Sequence, residues 1–139
     1  MKSPFYVHLS SKDSQEYFPN NEIHHFTVKL PEVINLGGPW EVTLCDVIYP
    51  AAKTSQVISV LTDICNDSIV GDRKLPLLRE FRTSRNGGHR EFGQLHYKIV
   101  NTGIIERITI YIKRDQEKVP SFTPKTLSCT LHFQPQESN

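Results

Sequence analysis

The histidines are the first residues of this 139-residue chain to suggest chemistry, because two of them, His24 and His25, are adjacent. Adjacent histidines suggest a metal site. In an extended strand, however, neighbouring side chains point to opposite faces, so these two cannot bind one ion together. The remaining histidines are scattered along the chain at His8, His89, His96 and His132. The sequence therefore predicts no metal site and no cofactor.

The residues that could act as nucleophiles or acid–base pairs also lack a supporting context. A catalytic serine needs a sharp, glycine-flanked turn, and no GxSxG motif is present. Gly37 and Gly38 precede a predicted strand rather than a helix, so they do not form a phosphate-binding loop. The closest pairs of acids are interpreted as solvated loop residues: Asp13 with Glu16, and Asp63 with Asp67. The sequence therefore predicts a protein that is not an enzyme.

Three cysteines, Cys45, Cys65 and Cys129, are widely spaced and odd in number. No CxxC pair exists, so neither a zinc knuckle nor a dithiol redox motif is indicated. Cys45 and Cys129 lie within predicted strands, where a free cysteine usually acts as a small buried hydrophobe. We expect three reduced thiols in a cytosolic or nuclear setting.

The overall composition restricts the classes of partner. The net charge is +1 and the pI about 7.8, which predicts no strong global attraction to nucleic acid or to an anionic membrane. No apolar run approaches the roughly 20 residues of a membrane-spanning helix. The first residues contain no apolar core of a signal peptide, so export by that route is not expected. We predict one domain over residues 1–139.

A basic stretch between residues 73 and 90 is the main local charge excess. It has six arginine or lysine residues and one acid, Glu80. Three interpretations remain open: a solubilising loop, a contact with a partner protein, or a contact with packaged nucleic acid. Phe81 is its only aromatic residue, so a stacking platform for single strands is not indicated. Three arginines are candidates for polar contacts with a neighbouring subunit: Arg79, Arg82 and Arg85.

The elements that must position these residues are β-strands. Apolar and polar residues alternate with a period of two in nearly every long apolar segment, as in half-buried strands. Strands are predicted at 5–10, 25–30, 40–49, 57–64, 75–81, 94–100, 106–113 and 127–133, with a short piece at 68–72. Pro31 is predicted to end the second strand, because proline cannot donate to a sheet. The predicted core includes Trp40, Val42, Leu44, Ile108, Ile110, Leu131 and Phe133.

The strand count predicts an all-β fold, an antiparallel β-sandwich in the form of a single eight-stranded jelly roll. An immunoglobulin-like sandwich is the main rival, but its cysteine–tryptophan–cysteine spacing is missing. The polar segments 11–22, 82–91 and 114–125 are expected to be loops that form contact surfaces. Segment 82–91, with two glycines, is expected to be mobile.

Several short motifs, in order, resemble a family of virion structural proteins from Polinton/Maverick-type elements and adintovirus-like genomes. The residues that carry the resemblance are Phe18-Pro19-Asn20-Asn21, Phe26–Leu30, Trp40–Leu44 with Tyr49-Pro50, Ile58–Ile64, Ile69–Asp72, Pro76–Arg79 and Thr130–Phe133. The chain departs from the family in one place. Family members have a longer insertion between the block that ends in Tyr49-Pro50 and the next strand, whereas this chain has only residues 51–56 there.

By size, the chain is most similar to the single jelly-roll minor capsid, or penton-like, protein that seals five-fold vertices. The resemblance implies a virion component that is made and assembled inside the host cell. It also implies a homo-oligomer, a pentamer or otherwise a trimer, that contacts a major capsid protein. The alternative is a fibre-head-like attachment module that binds a receptor or glycan, with Tyr49, Tyr97, Tyr111 and Trp40 as stacking surfaces.

Overall fold

The computed structural model describes residues 3–114, 122 and 125–136, and all regular structure in these ranges is β-strand. Eleven strands occur there: β1 (Phe5–Ser10), β2 (His25–Asn35), β3 (Trp40–Tyr49), β4 (Val57–Thr62), β5 (Ser68–Val70), β6 (Arg73–Leu75), β7 (Leu77–Arg82), β8 (Gly88–Glu91), β9 (Lys98–Ile99), β10 (Ile104–Arg114) and β11 (Ser128–Pro135). Within these ranges no helix is long and apolar enough to cross a membrane.

Nine of these strands form two antiparallel sheets, one of five strands and one of four. One sheet, here called sheet A, has the order β1-β11-β3-β8, and β9 also pairs with β3. The other, sheet B, has the order β2-β10-β4-β7. The chain crosses between the sheets after most strands, which places β1 beside β2 at one edge of the sandwich and β8 beside β7 at the other. The predicted all-β jelly-roll sandwich is confirmed. Strands β5 and β6 form a separate hairpin.

The core lies between the two sheets and consists of the inward rows of the long strands. All seven residues of the predicted core are at most 4% exposed: Trp40, Val42, Leu44, Ile108, Ile110, Leu131 and Phe133. The indole Nε1 of Trp40 donates a hydrogen bond to the Leu36 carbonyl at 2.9 Å, so its polar atom is satisfied inside the core. Phe5 stacks on Phe133, with ring centroids 5.0 Å apart, and connects β1 to the same core.

The prediction that the second strand ends at Pro31 is wrong, because β2 continues to Asn35. Pairing of β2 with β10 jumps from Lys29–Arg107 to Ile34–Ile105, so Pro31 lies in an irregular stretch that makes no ladder pairs. Moreover, β2 is the outer strand of its sheet, and no other described strand pairs with its second side. Proline is tolerated at such edge positions and bulges.

The prediction of a loop over 82–91 is wrong for its second half. Residues 88–91 form β8, which pairs with the second half of β3. The preceding turn is held by hydrogen bonds from Ala52 N to Arg85 O at 3.0 Å and from Ser84 N to the Tyr49 hydroxyl at 2.8 Å. Gly87 has φ +79°, and a Cβ there would meet the Ala51 nitrogen at 2.8 Å. This contact requires a glycine.

One further predicted strand differs from the structure in extent, and one predicted loop is not tested by it. The predicted strand at 94–100 is reduced to β9, because residues 93–97 run across sheet A, where the Thr43 hydroxyl donates to the His96 carbonyl at 2.7 Å. The expected loop at 114–125 lies largely outside the described residues.

Candidate subunit-contact surface

The three cysteines are free and poorly suited to act as nucleophiles. Burial raises the pKa of the Cys65 thiol to about 12, and burial likewise raises the pKa of Cys129 to about 12. The pKa of Cys45 is also raised, by burial and then by the neighbouring Asp46 carboxylate. A thiol that stays protonated near neutral pH is inert as a nucleophile.

The histidines contact different neighbours, and His89 Nδ1 also lies 3.7 Å from Glu91 Oε1. His89 Nε2 lies 3.1 Å from Asp46 Oδ2, and His132 Nδ1 lies 2.8 Å from the Tyr97 hydroxyl. The pKa of His132 is lowered by burial. Across the described part of the chain, no three histidine, cysteine or acidic side chains are grouped so that they could hold a metal ion.

Arg79, the first candidate for a contact with a neighbouring subunit, is used within its own chain. Its guanidinium lies 4.4 Å from the centroid of the Phe92 ring, and its Nη1 donates to the Gln94 carbonyl. Burial and then the charge of Arg90 lower the pKa of Arg79. Planar stacking on an aromatic ring is a common arrangement for arginine. Arg79 therefore fixes the segment after β8 against β7.

Arg90 and Phe92 complete a cluster that the sequence analysis missed. The Arg90 guanidinium lies 5.6 Å from the Phe92 centroid and 5.9 Å from that of Phe81. The two phenylalanine rings meet edge to face at 5.4 Å, and Tyr49 contacts Phe81 at 5.8 Å. Since β7 and β8 belong to different sheets, the cluster joins the two sheets at this edge. The available signal was the Arg90-x-Phe92 spacing, which places both side chains on one face of an extended segment.

Arg82 and Arg85 remain exposed at one end of this edge. Arg82 Nη1 donates to the Ser55 hydroxyl at 3.3 Å, and the Arg85 backbone carbonyl accepts from Ala52. Both arginines thus lie beside segment 50–56. On β7, Arg82 alternates with Phe81, which is buried in the core, whereas Arg79 shares the side of Phe81. The three predicted arginines therefore do not form one row: Arg82 and Arg85 lie together, and Arg79 is separate.

The opposite edge of the sandwich contains a groove of about 620 Å³ between β1 and β2. Its walls are apolar in the middle, where they include the partly buried Phe5, Val7 and Ile34 and the buried Leu9, Val28 and Leu30. Segment 11–22 borders one end of the groove. Its position is fixed by hydrogen bonds from Lys29 N to the Ser14 hydroxyl at 2.8 Å and from the Asn21 side chain to the Thr27 carbonyl at 2.8 Å.

The architecture belongs to the class of single jelly-roll β-sandwiches, with β1 and β8 as the outer strands of one sheet and β2 and β7 as those of the other. A solved structure of the same fold is the crystal structure of the selenomethionine-labelled mavirus penton protein. The TM-score is 0.60 at 5% sequence identity, and the likeness covers 95% of this chain and 99% of that one. At this identity the likeness shows the fold alone. No family model and no curated protein matches the sequence.

Proposed function

We propose that this chain is a structural component of a virion, a minor capsid protein of the penton type that seals capsid vertices. The observation that supports this most is the likeness to the mavirus penton protein over nearly the whole length of both chains. A match of this extent leaves little of either chain for a separate catalytic or binding unit. The ordered motifs that resemble a virion structural family support the same role.

In this role the protein assembles with copies of itself and contacts a major capsid protein in the virion, after synthesis inside the host cell. A rigid core with exposed edges suits such a role. Buried aliphatic and aromatic side chains hold the two sheets together, and in the described part of the chain β1, β2, β7 and β8 are the outer strands. Five copies around an axis use head-to-tail contacts that close into a ring.

The alternative, an attachment module with an aromatic binding surface, receives less support. Two of its four candidate stacking residues, Trp40 and Tyr49, are 4% and 7% exposed and pack in the core. A contact between the basic stretch and packaged nucleic acid would also have fewer arginines at its disposal than the sequence suggested, because the guanidinium groups of Arg79 and Arg90 lie against the Phe92 ring.

Sedimentation of the purified chain tests the proposal. Five copies of the 16.0 kDa chain give about 80 kDa, whereas three copies, as in a fibre head, give about 48 kDa. The chain is then mixed with the major capsid protein encoded by the same genome, and we expect the two to sediment together. A chain that stays monomeric at high concentration and does not sediment with that capsid protein would contradict the proposal.

A further inference from the structure

We propose that the β7–β8 edge of one copy docks against the β1–β2 edge of a second copy, with Arg85 of the first facing Glu16 of the second. This inference rests on the self-assembly in the proposed function, and it adds which two surfaces meet. The two edges lie on opposite sides of the sandwich, since β1 and β8 are the outer strands of sheet A and β2 and β7 those of sheet B. Two different surfaces on opposite sides make a head-to-tail contact, the type that generates a ring.

The directions of the outer strands suit this contact. Each successive pair in sheet A is antiparallel, so β1 and β8, separated by two strands, run in opposite directions. The same holds for β2 and β7 in sheet B. All copies in a cyclic ring share one orientation along its axis. When the strands stand along that axis, β8 of one copy meets β1 of the next in the antiparallel sense, which is the more stable pairing.

The acidic segment 11–22 and the turn that contains Arg85 also lie at the same end of the sandwich. One row of paired residues crosses sheet A from Ser10 through Ser128 and Ile48 to His89, so the end of β1 and the start of β8 lie at the same end of the sandwich. Segment 11–22 follows β1 at this end, and the turn at 84–87 precedes β8 there. In a ring, the turn of one copy therefore lies level with segment 11–22 of the next.

The charges at these two places are complementary. Segment 11–22 has three carboxylates and one lysine, whereas residues 82–90, which include this turn, have three arginines and no acid. Glu16 and Arg85 are both exposed. Asp13 is less available for a contact with a second copy, because its Oδ2 accepts a hydrogen bond from Ser10 N at 3.0 Å. This complementarity favours a second copy as the occupant of the β1–β2 groove, since the required basic surface exists on the chain itself.

Charge reversal followed by sedimentation tests the docking. Arg85→Glu and Glu16→Arg each place like charges at every contact of the ring, and we expect each to raise the association midpoint concentration by about tenfold or more. The double variant Arg85→Glu, Glu16→Arg restores an opposite pair at every contact, so it should recover most of the association. Lys113→Glu is the matched control, because it makes the same charge change on β10, which is an interior strand of sheet B. Circular dichroism of each variant verifies folding.

The outcomes separate this inference from the proposed function. Loss in both single variants with recovery in the double variant supports the docking. If the wild type assembles and the single variants assemble equally well, the ring uses other surfaces; the inference is then overturned while the proposed function stands. If the double variant is as weak as the singles while remaining folded, the Arg85–Glu16 contact is refuted. A wild-type chain that never self-associates would overturn both the docking and the assembly.

Discussion

Replacing Gly87 by alanine should destabilise the protein by about 2–5 kcal/mol, through two separable effects. The first is conformational: at φ +79° a residue with a Cβ lies in the left-handed region, which costs about 1–2 kcal/mol. The second is steric. A Cβ would lie 2.8 Å from the Ala51 nitrogen and 2.9 Å from both the Pro50 carbon and the Tyr49 oxygen. These are backbone atoms, so the strands must shift, and overpacking of this kind costs about 1–3 kcal/mol.

Gly71→Ala is the matched control for the conformational effect. Gly71 has φ +65°, and a Cβ there meets no atom within 4 Å. This variant should therefore lose only the first contribution, about 1–2 kcal/mol. For a chain of this size 1 kcal/mol corresponds to roughly 3 °C in Tm, so we expect a decrease of about 3–6 °C for Gly71→Ala and about 6–15 °C for Gly87→Ala.

Thermal unfolding followed by far-UV circular dichroism, with urea unfolding as a second measure, gives both values. Amide hydrogen exchange adds a local readout, because Thr83 N donates to Gln56 O at 2.8 Å and Gly87 N donates to Ser84 O at 3.1 Å. Both amides should be protected in the wild type and less protected in Gly87→Ala. Equal losses of stability in the two glycine variants would refute the steric argument.

Three further predictions concern the core and its ionisable groups. Trp40→Ala should lower the free energy of unfolding by about 3–5 kcal/mol, because it leaves a cavity and removes the hydrogen bond to the Leu36 carbonyl. Since Trp40 is the only tryptophan, unfolding is followed by circular dichroism, and a Tm equal to that of the wild type would contradict the core position of Trp40. In the native protein, Cys65 and Cys129 should resist alkylation at pH 8, because burial raises the pKa of each thiol to about 12. The half-buried Cys45 should react first, and rapid labelling of all three cysteines would contradict the burial of Cys65 and Cys129. Burial lowers the pKa of His132, so below about pH 6.5 the unfolded state binds more protons than the folded state, and the free energy of unfolding should fall as the pH decreases. His132→Gln should make this decrease smaller, and an unchanged pH profile in the variant would contradict the role of His132.

The long strands could be predicted because their alternation is set by the pleat itself. The strand Trp40–Tyr49 has the bounds that the sequence predicts, and its first half alternates as expected. Its second half reverses the pattern, since Leu131 pairs with Leu44 and Thr130 with Asp46, leaving Cys45 in a bulge. The bulge allows Leu44 and Val47 both to face the core. A pattern of period two indicates a strand, but the partner strand decides where the period shifts.

The contact surface was less predictable, since it depends on which strands lie at the edges. Pro31 normally argues against continuing a strand, yet it is accommodated because β2 is an outer strand. Segment 82–91 has the composition of a loop, but β3 offers a free side with which residues 88–91 pair. The separation of Arg79 from Arg82 and Arg85 follows from the stacking on Phe92, a residue outside the basic stretch. Each of these outcomes depends on tertiary neighbours that local sequence does not specify.

The edges of the sandwich provide a physical reason to expect an assembly. An open sheet exposes unpaired backbone groups at its outer strands, and monomeric proteins usually protect them with charges, prolines or bulges. The β7–β8 edge is protected by its arginines and glutamates, and β2 is interrupted by Pro31 and an irregular pairing. The outer strand β1, with the sequence FYVHLS, has no lysine, arginine, aspartate, glutamate or proline, and it borders an apolar groove. Among the described residues no further strand pairs with the outer side of β1, and such an edge is prone to aggregation on a monomer. In the proposed assembly a neighbouring copy would cover it.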